Sequence, residues 1–214
     1  MNLFSYESKF SQVLIRLSYS CWLNVLWFAC SLPVFTIGAS TTALYSATLK
    51  IVDDRDANIT KQFFKSFKEN FAQATRLWLI MLAVGAFLAT DLLFVYRLRA
   101  STAGTMAVMW TLVMAFIIGA CVVYTIVLLN LFPLVASFVN TDKEMLKNAF
   151  LVGVRYLFAS ITVFAIHVLM FLAIVIVFTP LAIFGEGLCA MLSSYVLQNV
   201  IKILSVVSEQ EDEE

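Results

Sequence analysis

The sequence predicts an all-α, polytopic transmembrane helical bundle, and three observations predict it. The 214 residues are 62% hydrophobic and 13% charged, with a mean hydropathy of +0.92, whereas a soluble domain carries about 25% charge and 45–50% apolar residues. No Asp, Glu, Lys or Arg occurs from Leu17 to Leu49, from Ala100 to Thr141, or from Tyr156 to Gly185. Each of these runs exceeds the roughly 20 residues with which a helix crosses about 30 Å of hydrocarbon. They are continuously apolar rather than alternating, which favours helices over a barrel.

A single membrane domain is expected over residues 1–207, with five or six spans. Residues 3–15 place Tyr6, Phe10, Val13 and Leu14 on one face, with Lys9 and Arg16 to the side, which predicts a short interfacial helix. No small-residue cleavage site follows a short apolar core, so a cleaved signal is not expected. Asn2 stands where N-myristoylation needs glycine. The run from Leu17 to Leu49 would be about 50 Å long as one helix. Pro33 and Gly38 divide it into spans at about 17–34 and 36–52. The second of these is the weaker, because it is small and hydroxyl-rich, with Thr36, Ser40, Thr41, Thr42, Ser46 and Thr48. Further spans are expected at about 77–96, 104–129, 153–178 and 181–204. The run 104–139 is expected to continue past Asn130 and Pro133 as a bent cytoplasmic extension. The tail, residues 208–214, holds five acids in its last six positions and is expected to be solvated and disordered.

The most polar internal region contains Ile59-Thr-Lys-Gln-Phe-Phe-Lys-Ser-Phe-Lys-Glu-Asn-Phe71. At about 100° per residue, Phe63, Phe64, Phe67 and Phe71 fall within one arc of a helix, and Lys61, Lys65 and Lys68 cluster on another face. The spacing predicts a short amphipathic elbow helix over 59–73 that turns the chain into the next span. Its phenylalanines lie at the membrane interface or against neighbouring spans, and its lysines reach anionic headgroups. The pattern Lys68, Phe71, Arg76 recurs at one constant offset as Lys147, Phe150, Arg155. A parallel repeat and chance both account for three matched positions.

Cation positions bear on topology. If 36–52 crosses, both termini are cytoplasmic and twelve of the fourteen Lys and Arg lie inside, with only Arg97 and Arg99 outside. If it does not, the division is ten against four. Six crossings fit better, and both arrangements place the elbow in the cytoplasm.

No phosphate-binding loop, H-E-x-x-H or G-x-S-x-G pattern is present, and the chain has one histidine. The expectation is therefore a non-enzyme with no catalytic residues, metal or cofactor, and no nucleic-acid partner. Active transport would need an ATPase from another chain. Cys21, Cys30, Cys121 and Cys189 are scattered through apolar segments and read as small buried hydrophobes. Polar groups inside the membrane are the remaining site candidates. Asn24 and Asn130 read as bonds between helices. His167, mid-span, reads as a helix bridge or as a proton or ligand site. Glu186, between Gly185 and Gly187, reads as an outer-loop turn or a re-entrant one.

The stretch Trp22-Leu-Asn-Val-Leu-Trp-Phe-Ala-Cys-Ser-Leu-Pro-Val-Phe-Thr-Ile-Gly-Ala-Ser-Thr-Thr-Ala-Leu-Tyr45, followed by Phe63-Phe-Lys-Ser-Phe-Lys-Glu-Asn-Phe71, resembles the YesL-type family of bacterial membrane proteins. That family is a domain of unknown function whose members tend to be encoded beside sugar-uptake ABC transporters and carbohydrate-degrading enzymes. The resemblance implies a role in carbohydrate use beside a permease, in a bacterial plasma membrane, and it supplies no catalytic residues. Two functions are carried forward: an accessory or assembly subunit of a carbohydrate ABC uptake system, with permease subunits as partners, and a stand-alone small-solute transporter or channel. The second would need a hydrated cavity lined by groups such as Asn24, Asn130 and His167. A homo-oligomer is compatible with either.

Overall fold

The structure is a computed structural model that describes residues 9–53 and 58–212. Seven α-helices follow one another: α1 (Lys9–Ser31), α2 (Ile37–Val52), α3 (Ile59–Ser101), α4 (Gly104–Ser137), α5 (Asp142–Arg155), α6 (Leu157–Leu172) and α7 (Gly185–Asp212). The described residues contain no strand. Five stretches are long and apolar enough to cross a membrane: Ser11–Ser31, Ile59–Ser101, Gly104–Ser137, Leu157–Val177 and Gly185–Val207. Their outer faces carry large apolar side chains, among them Phe28, Phe87, Phe94, Phe116, Phe158 and Phe171, as lipid contact requires and a soluble surface of this extent does not.

The segment expected as a span at 36–52 is different. α2 has 16 residues, about 24 Å at 1.5 Å per residue, short of the roughly 30 Å of hydrocarbon. It forms the centre of the bundle, with eleven of its residues buried, and it packs on α1, α3, α4 and α7. Its hydroxyl-rich composition suits this place. Small side chains let several helices approach at once, and hydroxyls bond across the contacts. Thr41 accepts from the Trp27 indole N–H at 3.0 Å, Ser46 accepts from the Gln62 amide at 2.7 Å, and Thr48 shares a 2.8 Å bond with Ser194.

Pro33 breaks the chain between α1 and α2, as expected, through a 3-10 turn at Val34–Thr36. The Thr36 hydroxyl closes that turn by donating to the carbonyls of Cys30 and Pro33, both at 2.6 Å. Gly38 is not part of the break. It lies inside α2, where an added Cβ would stand 2.5 Å from the Ala74 carbonyl oxygen and 2.5 Å from Trp78 Cβ. It is a point of close approach between α2 and α3.

The elbow at 59–73 is not a separate helix. Asn58 caps its start, its side chain accepting from the Lys61 N–H at 3.1 Å, and the helix then runs unbroken to Ser101 for 43 residues. Nothing between Ile59 and Val84 is Gly or Pro, so the sequence contains nothing that would turn the chain there. The expected interfacial helix at 3–15 likewise differs: from Lys9 onward it is the first part of α1, and residues 3–8 lie outside the described residues. α4 continues through Pro133 to Ser137. In the acidic tail α7 runs on to Asp212, because no Gly or Pro intervenes and Glu and Gln are good helix formers; residues 213–214 lie outside the described residues.

Contacts fix the relative directions of the helices. Arg16 and Asn24 of α1 meet Tyr195 and Gly187 of α7, so these two helices are antiparallel. Thr48 of α2 and Asp53 just beyond its end meet Ser194 and then Lys202, so α2 and α7 run the same way. Trp22 reaches Thr60 at the start of α3. The first turns of α1, the end of α2, the start of α3 and the last turns of α7 therefore share one end of the bundle. The long helices α1 and α3 thus run in the same direction, and the short α2 between them returns the chain.

Two expectations follow. Gly38→Ala should lower stability in detergent by about 1–3 kcal/mol, the range for overpacking. Gly119→Ala, where an added Cβ meets nothing within 4 Å, should be neutral or stabilising by up to about 1 kcal/mol; equal melting temperatures for the two variants would refute the close α2–α3 contact. In a background lacking the native cysteines, cysteines placed at Ser5 and Ser208 should react alike with an impermeant thiol reagent in intact cells, and one at Thr102 oppositely. Opposite labelling at Ser5 and Ser208 would show that the chain ends on different sides.

Candidate functional site

Three of the four intramembrane polar candidates converge on the joint between α6 and α7. α6 gives way to a π-turn at Ala173–Val177 and a 3-10 turn at Thr179–Ile183, which contains Pro180, before α7 opens at Gly185. Such irregular backbone leaves polar groups that lipid cannot satisfy. Asn24 of α1 satisfies three of them: its amide donates to the carbonyls of Ala182 at 3.1 Å and Ile183 at 2.8 Å, and its oxygen accepts from the Gly187 N–H at 3.0 Å. Gly187 permits this approach, since a Cβ there would lie 2.2 Å from the Ser20 carbonyl oxygen.

His167 and Glu186 meet beside this latch, with imidazole Nε2 3.6 Å from the carboxyl Oε1. Nδ1 lies 2.8 Å from the Val163 carbonyl, which can only accept, so Nδ1 carries the hydrogen. Nε2 is left to face Glu186. Glu186 also sits in the first turn of α7, where the helix dipole favours a carboxylate. Sequence reasoning saw the two residues separately, 19 positions apart, and had no means of pairing them.

Asn130 is elsewhere. Buried between α4 and α6, it donates to the Ile126 carbonyl at 2.8 Å and to the Ser160 hydroxyl at 2.9 Å, and Ser160 donates on to the Gly153 carbonyl at 3.1 Å. This chain supports the break at Tyr156 between α5 and α6. None of the described cavities is lined by Asn24, Asn130 or His167, and the described residues contain no group of three or more His, Cys, Asp or Glu fit to hold a metal. All four cysteines are free.

The second candidate region is the first part of α3. Phe63 is fully buried and stacks on Phe67, with ring centroids 6.4 Å apart, and Phe67 meets Phe71 edge-on at 5.4 Å. Phe64 and Phe71 remain 40% and 36% exposed, beside the outward-facing Lys61, Lys65 and Lys68. Lys65 pairs loosely with Glu69 at 3.9 Å on the surface, a contact of little energetic weight. Farther along, Arg76 grips Asp142 with two bonds, at 2.8 and 3.1 Å, and Gln73 donates to the same carboxylate. These bonds, chiefly that from Arg76, hold the Asp142 carboxyl below its ordinary range. They tie the start of α5 to α3. Thr141 and Glu144 form a capping box there, and the Thr141 backbone N–H lowers the Glu144 carboxyl. The pattern Thr141-Asp-Lys-Glu144 is the sequence signal for that helix start.

The arrangement defines a polytopic helical membrane protein whose polar interior supports helix joints, with an amphipathic platform at one end. Residues 21–92 match the family described as Protein of unknown function, DUF624. YesL-type proteins are that family, and the match spans the second half of α1, all of α2 and α3 as far as residue 92. No curated protein and no solved structure matches the chain.

The joint predicts an order of stabilities. Asn24→Leu orphans the buried Gly187 N–H and two carbonyls, at about 1–3 kcal/mol for each group left unsatisfied. His167→Leu loses one interhelical contact, worth roughly 0.6–2 kcal/mol, and Glu186→Gln should be nearly silent. Denaturation in detergent should rank Asn24→Leu as the most damaging. The reverse order would make the His167–Glu186 pair, not Asn24, the element that holds α6 and α7 to α1.

Proposed function

We propose that this chain is a non-enzymatic accessory or assembly subunit of a carbohydrate ABC uptake system in a bacterial plasma membrane. The observation that carries the reading is the platform on α3. Five turns of amphipathic helix present two exposed phenylalanines and three lysines, held on one side by the α2 core and on another by the Arg76–Asp142 pair. Large aromatic side chains on a rigid element are the usual anchors of a protein interface. The resemblance to YesL-type proteins supplies the permease as partner. The alternative, a stand-alone transporter, is less well supported, because Asn24 and His167 lie at one joint and Asn130 at another, and they line no common cavity among those described.

Phe67 is packed against the core, so the informative substitutions are at the exposed positions. Affinity purification of the Phe64→Ala, Phe71→Ala double variant in mild detergent should lose the permease subunits that the parent retains, at unchanged yield and melting temperature. Permease subunits retained at parental levels by the double variant would refute the platform as the docking face. A parent that yields only copies of itself would favour the transporter reading.

A further inference from the structure

A cavity of about 330 Å³ lies between the end of α4, one face of α5 and the last turns of α7, a size near the lower end of ligand sites. Its polar wall is formed by Arg155, Asn148 and Asn140, and its apolar wall includes Leu151, Leu204 and Val207. Asn148, Leu151 and Arg155 are three and four residues apart on α5 and so share one face. No carboxylate among the described residues pairs with Arg155; its guanidinium rests 5.9 Å from the centre of the Tyr156 ring.

The cavity lies where the apolar segments end. The crossing stretch of α4 stops at Ser137 and that of α7 at Val207, while α5 and the connection at 138–141 lie between crossing segments. A ligand that satisfies both walls needs an anionic head and an apolar tail. A free anion would leave Leu151, Leu204 and Val207 wet, and a neutral or zwitterionic amphiphile would leave the guanidinium without net counter-charge. We propose that this cavity binds one anionic phospholipid, its phosphate on Arg155 and Asn148 and its first acyl carbons along Leu204 and Val207. The planar guanidinium suits two phosphate oxygens at once, and the Asn148 amide adds a donor. A lipid held this way joins α4, α5 and α7.

The test uses the full chain in detergent and native mass spectrometry, with phosphatidylglycerol and phosphatidylcholine of identical acyl chains. One phosphatidylglycerol should remain bound per chain in preference to phosphatidylcholine. Arg155→Gln should weaken its retention at least about tenfold, the loss of one charge-assisted contact, and Arg155→Lys by less. Lys65→Gln, the same charge change on the elbow, should leave retention unchanged. If Arg155→Gln does not fold, Leu204→Trp, which fills the apolar side, should expel the lipid by itself. Equal retention of both lipids, or parental retention by Arg155→Gln or Leu204→Trp, would overturn the proposal. Displacement of the lipid by millimolar inorganic phosphate would overturn it in favour of a site for free anions.

Discussion

The contact on which the rest of the bundle depends is the close approach of α2 to the helices around it. Lipid tails are as apolar as leucine, so burying apolar surface does not drive helices together in a membrane as it does in water. What remains is dispersion over closely matched surfaces and hydrogen bonds between helices. α2 supplies both. Gly38 lets the α3 backbone come within reach at Ala74, and Ala39, Ala43 and Ala47 are fully buried. The hydroxyls of Thr41, Ser46 and Thr48 bond to α1, α3 and α7 in turn. A helix of this length could not lie alone in hydrocarbon, because its end groups would be unsatisfied. Here the ends are enclosed. The Trp78 indole donates to the Val34 carbonyl at 2.8 Å before the start of α2. Beyond its end, Asp53 draws in Gln198 and Lys202 of α7.

With α2 as its inner partner, α3 extends far beyond it. At 43 residues it is about 64 Å long, roughly twice the hydrocarbon thickness, so a large part of it projects outside the apolar layer. Charges mark both ends: Lys61, Lys65, Lys68, Glu69 and Arg76 lie in its first eighteen residues, and Asp91, Arg97 and Arg99 in its last eleven. The N-terminal part packs on α2 and ties down α5 through Asp142, whereas the remainder lies against α4, with Tyr124 donating to the Met81 carbonyl and Arg99 to Thr111. Because no residue between Ile59 and Val84 breaks the helix, a displacement of the platform is carried rigidly into the α3–α4 pair. A partner bound at Phe64 and Phe71 would therefore act on the membrane-embedded part without a hinge.

The apolar runs and the phenylalanine arc were legible because each is a local, periodic property of the chain. Hydropathy could not distinguish lipid from protein as the surroundings of a moderately apolar helix. Residues 36–52 therefore read as a weak span, although their hydroxyls are what a helix wrapped in other helices carries. The elbow read as a turn because a change from charged to apolar composition suggests a boundary, yet composition breaks no helix unless Gly or Pro accompanies it. The pairing of Asn24 with Gly187 joins residues 163 positions apart. It follows only from the packing of α1 on α7, which no spacing in the sequence encodes.

Polar groups in a membrane interior invite a functional reading, and the structure gives most of them another task. Asn24 satisfies the backbone where α6 unwinds before α7. Asn130, through Ser160, satisfies it where α5 breaks into α6, and the α2 hydroxyls hold the central helix in place. Each compensates for an irregularity that the bilayer would otherwise forbid. His167 and Glu186 are different, because neither their mutual contact nor the Glu186 carboxyl closes a backbone break. Among the intramembrane candidates, these two side chains face each other across the α6–α7 joint instead. The remaining uncommitted chemistry, namely the exposed phenylalanines, the lysines and Arg155, lies on α3 and α5 outside the apolar core. These groups therefore gather toward one end of the molecule.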